Sequence, residues 1–228
     1  MEIFFIMVRE NQAIKGINIF DFEYKLSAYA DDATFFPKDE SSISAILQTF
    51  DIFSKYSGLL LNKSKCEVCG IGVKRGVNVA LSGLKCIDLT KECIRILGAS
   101  YSYNEECSKN ANFIEAVKKI ENVVQIWKWR NLTLSGKITI FNSLAFSKIV
   151  FISFLSYVPT CIIDRLETIQ KDFLWNGKRA KVKHLALINT YENGGLKSMD
   201  IKCKIKALQL SWVRRLYEGS FHPWKHIP

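Results

Sequence analysis

The sequence predicts an α+β fold in two unlike parts, and three observations predict it. Residues 22–36 read as two strands meeting at an acidic turn, and the segment after them carries a helical stripe. From Lys109 onward every patterned segment has helical spacing. Charge divides the chain at the same place: residues 1–108 hold 12 Lys+Arg against 14 Asp+Glu, and residues 109–228 hold 20 against 8. The chain therefore reads as a mixed domain, 1–108, followed by an all-helical basic one, 109–228. With 228 residues and 48% hydrophobic content it can bury real cores, which excludes a disordered or fibrous chain.

The apolar opening, 1–8, reads as the end of an element that starts before this chain. A turn containing Gly16 follows. Phe22, Tyr24, Leu26, Ala28 and Ala30 then alternate with Glu23, Lys25, Ser27 and Tyr29, the period of a half-buried strand. Ala33, Thr34, Phe35 and Phe36 make the second strand, closed by Pro37. Asp31 and Asp32 thus stand at the tip of an antiparallel hairpin. Asp39 or Ser41 caps a helix whose Ile43, Ile46, Leu47, Phe50 and Phe53 share a face, with Gly58 as its left-handed stop. That helix is expected to pack behind the acids. Residues 59–71 read as a returning strand and 72–93 as another hairpin.

In the basic half, Phe113, Val117, Ile120, Val124 and Trp127 form one helical stripe. A second helix opens near Leu132 and runs through Ile138, Phe141, Leu144, Ala145 and Ile149, stopping before Pro159. A third carries Ile162, Leu166, Ile169 and Phe173. The last carries Ile201, Ile205, Leu208, Trp212 and Leu216, capped by Asp200 and stopped by Gly219. The run 149–158 is too short to span a bilayer and reads as a buried helix.

Paired carboxylates on rigid strands suit a hard divalent ion, so Asp31 and Asp32 are the candidate metal ligands, against the plainer reading of a polar turn. The excess of positive charge after Lys109 marks the surface for phosphates, or a merely solvated basic face. Seven scattered cysteines without a secretory signal fit reduced thiols in an intracellular protein, nuclear or cytoplasmic, with no membrane partner. Cys66 and Cys69 have zinc spacing, as do His222 and His226, but the pairs lie too far apart in the chain to favour a zinc site.

Tyr29-Ala30-Asp31-Asp32 resembles the Tyr-x-Asp-Asp box of reverse transcriptases. Leu61-Asn62-Lys63-Ser64-Lys65-Cys66-Glu67 looks like the segment after that box in non-LTR, long-interspersed-element enzymes, with Cys66 where Thr is usual. Trp127, Arg130, Leu132-Thr133-Leu134, Gly136-Lys137-Ile138, then Phe173-Leu174-Trp175-Asn176-Gly177-Lys178, and Gly194-Gly195-Leu196 followed by Trp212, resemble the region beyond the palm in the same family. The resemblance implies a partial polymerase palm, an antiparallel hairpin plus helix, followed by a helical thumb and connector. It implies RNA-directed DNA polymerisation on an RNA template and DNA primer, with Asp31 and Asp32 holding Mg²⁺ and Lys65 near the leaving pyrophosphate.

Leu97-Gly98 resembles the turn that supports the primer end. Tyr29, Arg130, Lys137, Lys178, Arg179, Lys181 and Lys183 become the nucleic-acid contacts, while Trp127, Trp129 and Trp175 are expected to pack before they stack on bases. A two-metal site needs a further carboxylate, which in the family lies well upstream. Only Glu2, Glu10, Asp21 and Glu23 precede Asp31 here. The expectation is a C-terminal fragment, inactive alone, that belongs with a missing N-terminal part of its parent polyprotein. The alternatives are a non-catalytic nucleic-acid-binding remnant and an unrelated helical protein.

Overall fold

The computed structural model describes residues 1–19, 21–74, 83–218 and 225. Two units emerge, Met1–Ser108 and a second that begins at Lys109. Helices and short strand pairs occur together, an α+β fold, and among the described residues the strands all precede Lys109.

The apolar opening is a helix, α1 (Glu2–Glu10), which buries Phe4, Phe5 and Val8. The long strand expected from Phe22 to Ala30 is divided at Lys25. Its first part, β2 (Phe22–Tyr24), pairs back with β1 (Ile17–Ile19), and its second, β3 (Leu26–Tyr29), pairs forward with β4 (Asp32–Phe35). Lys25 sits at the switch: its carbonyl accepts from Phe36 N at 2.8 Å, and its ammonium donates to the carbonyls of Arg9 and Asn11 at 3.0 Å each.

Helix α2 (Glu40–Ser57) has the ends its sequence prescribes. Asp39 accepts from Ser42 N at 2.8 Å and from the Ser41 and Ser42 hydroxyls at 2.7 Å, and Gly58 turns left-handed at φ 71°. The apolar faces of α1 and α2 meet through aromatic rings. Phe4 lies 5.1 Å from Phe50, edge to face, 5.6 Å from Phe53 and 5.9 Å from Phe35, and Leu26, Ala33 and Phe35 of the hairpin close over this cluster.

Residues 59–71 are not one strand. Lys63–Lys65 form a 3₁₀ turn, and only β5 (Glu67–Cys69) is a paired strand, in parallel with β6 (Lys85–Ile87). The Asn62 side chain accepts from the Ser64 hydroxyl at 2.6 Å, and Cys66 N donates to Lys63 O at 3.1 Å, so local bonds replace a strand ladder. Among the described residues β6 pairs with β5 and not within 72–93; residues 75–82 of the hairpin expected there lie outside the described residues. A true hairpin comes next, β7 (Ile94–Ile96) with β8 (Ala99–Tyr101), turning through Leu97 and Gly98 at φ 48° and 86°.

Helix α3 (Glu105–Lys128) begins in the first unit and carries the chain into the second, burying Phe113, Val117, Ile120 and Val124. The single helix expected from Leu132 toward Pro159 is instead broken. Thr133 caps α4 (Leu134–Ile140); a π-helical turn, Phe141–Ala145, follows; α5 (Ser147–Leu155) then leaves at a 45° bend. Phe146 N reaches Phe141 O at 2.9 Å, the five-residue bond that inserts the extra residue and turns Leu144 outward. Helix α5 is half-buried rather than buried all round, because Phe151 and Leu155 face outward. No single described helix is long and apolar enough to cross a membrane.

Helix α6 (Thr160–Trp175) ends on a left-handed Asn176, φ 53°. A short α7 (His184–Ile188), which the sequence did not announce, precedes the Gly194-Gly195 pair. Gly194 is left-handed, and a Cβ on Gly195 would come within 2.1 Å of the Asn189 carbonyl oxygen, so neither accepts a side chain freely. Helix α8 (Ile201–Tyr217) is capped by Asp200, which accepts from Cys203 N at 2.9 Å; Gly219, its expected stop, lies outside the described residues.

The Asp39 cap carries a pH signature. Hydrogen bonds from the Ser41 hydroxyl first, then from Ser42, hold its carboxyl at about 2, below the ordinary 3.8. A depressed folded value stabilises the fold above the unfolded value and stops doing so as pH falls through the folded one. Asp39→Ala should therefore lower stability fully above about pH 4, with the gap to wild type closing toward pH 2. Urea unfolding across that range, followed by far-UV circular dichroism, measures it.

Candidate functional site

The β3–β4 register pairs Leu26 with Phe35, Ser27 with Thr34, Ala28 with Ala33 and Tyr29 with Asp32. Cross-strand partners share a face, so the hairpin has two. Leu26, Ala33 and Phe35 form the inner face over the phenylalanine cluster, with Ala28 on the same face but exposed. Ser27, Tyr29, Asp32 and Thr34 form the outer one. Asp32 therefore points away from the helices, beside Tyr29, whose ring is exposed.

Ala30 and Asp31 are the whole loop. The left-handed residue in it is Ala30, φ 54°, a conformation that costs a residue with a Cβ about 1 kcal/mol. Strain of this kind gathers at sites that need one backbone shape. Among the described residues, neither the Asp31 nor the Asp32 carboxylate is engaged in a hydrogen bond or ion pair, and both residues are exposed. Their oxygens are free for a cation.

The hairpin holds two acids and no more. Among the described residues no group of three His, Cys, Asp or Glu side chains can hold a metal ion. Two of the earlier acids are used elsewhere. Glu2 pairs with Arg9 at 3.2 Å, and Glu23 accepts from Gly16 N at 2.7 Å. The Asp31–Asp32 pair thus fits a hard cation as part of a ligand set, with oxygen donors of the right chemistry. Lys65 is exposed, but on the 3₁₀ turn rather than on the strand expected to present it. His222 and His226 lie outside the described residues.

In the second unit the expected cations divide. Lys178, Arg179, Lys181 and Lys183 are all exposed on the segment between α6 and α7. Arg130 is exposed too, its guanidinium 5.0 Å from the centre of the Trp127 ring. Lys137 is a correction. It is 6% exposed, and its ammonium donates to Asn176 Oδ1 at 2.6 Å and to Leu174 O at 3.4 Å, beside the Phe173 ring. Burial, with the nearby positive charge of Lys128 adding to it, lowers its pKa. This lysine ties α4 to the C-terminus of α6, where the last carbonyls lack helical partners.

The other correction concerns the tryptophans. Trp127 and Trp175 are half-buried as packing residues, whereas Trp129 stands in the open. The sequence carried no signal for this difference, because α3 ends one residue before Trp129 and its stripe stops with it.

No family model matches the chain. Over 216 residues it is 26% identical to the transposon TX1 uncharacterized 149 kDa protein of Xenopus laevis, a match that covers 90% of this chain and 16% of that protein. The similarity to a transposon protein therefore runs through both units, and the chain spans only a small part of the relative's length.

Lys137→Met should cost about 1–3 kcal/mol, from the loss of charge-assisted bonds to the end of α6. The same variant should leave the salt dependence of any nucleic-acid binding unchanged. Urea unfolding and a binding titration in rising salt check the two halves.

Proposed function

We propose that this chain is part of a non-LTR retrotransposon reverse transcriptase, its first unit the late palm and its second the thumb and connector. The outward-facing acid tip of the β3–β4 hairpin carries this reading. One face of the hairpin is anchored on the phenylalanine cluster; the other presents Tyr29 and Asp32, with Asp31 in the loop and no competing partner on either carboxylate. The similarity to a transposon protein and the cations of the second unit support it.

On this reading Asp31 and Asp32 hold Mg²⁺ as two of its oxygen ligands. Mg²⁺, when bound, supplies charge neutralisation at the phosphoryl group and a more acidic primer 3′-hydroxyl. Tyr29, on the same face as Asp32, is taken as a nucleic-acid contact. Lys65 offers an exposed ammonium for a phosphate. Arg130, Lys178, Arg179, Lys181 and Lys183 hold the RNA–DNA hybrid by its backbone, which positions the duplex without reading its sequence. Lys137 supports that surface from beneath.

The 228-residue chain is expected to bind an RNA–DNA hybrid. Neutralising Lys178, Arg179, Lys181 and Lys183 together should make the negative slope of log K against log salt shallower by about 3–4. Asp31→Asn should leave that slope intact.

Catalysis is a separate matter, because only two acids meet at the tip among the described residues. Primer extension by this chain alone is expected to be undetectable. In a longer protein that includes it and extends a primer, Asp31→Asn should lower the rate about 100-fold or more. Extension by the 228-residue chain that survives Asp31→Asn would overturn the assignment of the acids. Full hybrid binding with no extension in any longer protein would instead favour the second reading, a non-catalytic nucleic-acid-binding remnant, which the two-acid tip also suits.

A further inference from the structure

We infer that Trp129 is a stacking site for an unpaired nucleobase, set in a cationic corner of the second unit; the inference rests on the nucleic-acid reading above. Among the described tryptophans Trp129 alone is exposed, at 91%. Lone apolar side chains at a surface are ordinary. The surroundings of this one are not.

Trp129 sits in the connection between α3 and α4, and that connection is held by its backbone. Arg130 N donates to Trp127 O at 3.2 Å, and Leu132 N donates to Arg130 O at 2.8 Å. Thr133 Oγ1 then accepts from Gly136 N at 3.2 Å to start α4. The indole is thus presented on a pre-organised turn, which reduces the ordering cost of binding.

Cations flank it on both sides. Lys128 and Arg130 are exposed neighbours in the chain, and the Arg130 guanidinium is fixed over Trp127 rather than over Trp129, which leaves the Trp129 ring uncovered by that residue. The buried Lys137 feels the charge of Lys128 and bonds to Asn176, the residue that leads into Lys178 and Arg179. Lys137, in the helix that the turn opens, thus reaches the residue from which the basic segment departs. An exposed aromatic face flanked by cations is the arrangement that holds single strands, because every base offers a ring to stack and every phosphate a charge to meet.

The occupant is an unpaired base of RNA or DNA next to the duplex. The test uses the full 228-residue chain with four probes: a blunt RNA–DNA hybrid, the same hybrid with an unpaired uridine overhang, oligouridylate and oligothymidylate. Trp129→Ala should weaken binding of the overhang hybrid and of the single strands roughly 5- to 100-fold. It should leave the blunt hybrid within about twofold, and Trp129→Phe should restore most of the loss. Because the indole is exposed, the circular dichroism and Tm of the variants should match wild type, which separates lost stacking from lost folding. A preference between oligouridylate and oligothymidylate identifies which strand is held.

Equal binding of all four probes by wild type and Trp129→Ala would overturn the inference and leave the hybrid-binding reading standing. Failure of wild type to bind any probe at low salt would overturn both.

Discussion

The ring of Phe4 touching Phe50, Phe53 and Phe35 is the contact on which the first unit depends. It joins two helices to one strand of the hairpin, and it lets only one face of that hairpin turn inward. Side chains alternate along a strand, so anchoring Leu26, Ala33 and Phe35 on the rings forces Tyr29 and Asp32 to the other side. A slip of one residue would bury the acid and expose the phenylalanine. The apolar core thereby sets the direction in which the carboxylate points, with no polar contact of its own.

Lys137 plays the corresponding part in the second unit by a different means. Its ammonium reaches the carbonyl of Leu174 and the side chain of Asn176 from within a cluster of Ile138, Leu174 and Leu187. A buried charge is tolerated here because the ending helix supplies acceptors that nothing else satisfies. The left-handed Asn176 then redirects the chain outward, and the exposed cations of the following segment are a consequence of that exit. One basic residue is withdrawn from the surface so that others are displayed on it.

Much of this was legible in the sequence. The Asp39 cap, the Gly58 stop, the buried stripe of α3, the Asp200 cap and the acid tip of the hairpin all depend on residues within a turn or two of one another, and short-range chemistry decides them. The misreadings share a cause. Residues 59–71 have a strand's composition, but Asn62 and Ser64 bond locally and leave three residues in a paired strand. The helix after Thr133 has an unbroken apolar pattern, yet a five-residue bond at Phe146 inserts a π turn and rotates Leu144 outward. The division of the strand at Lys25 follows from carbonyls of Arg9 and Asn11 that lie far back in the chain.

By itself the sequence determined that two acids would sit at a hairpin tip, that helices would follow, and that positive charge would gather in the later half, since period, turn residues and net charge are properties of the chain. Only the tertiary structure decided that Asp32 faces away from the core, that Lys137 is spent inside it, and that Trp129 is left in water. Those outcomes depend on which faces pack and which helix ends need partners, and composition carries no record of either.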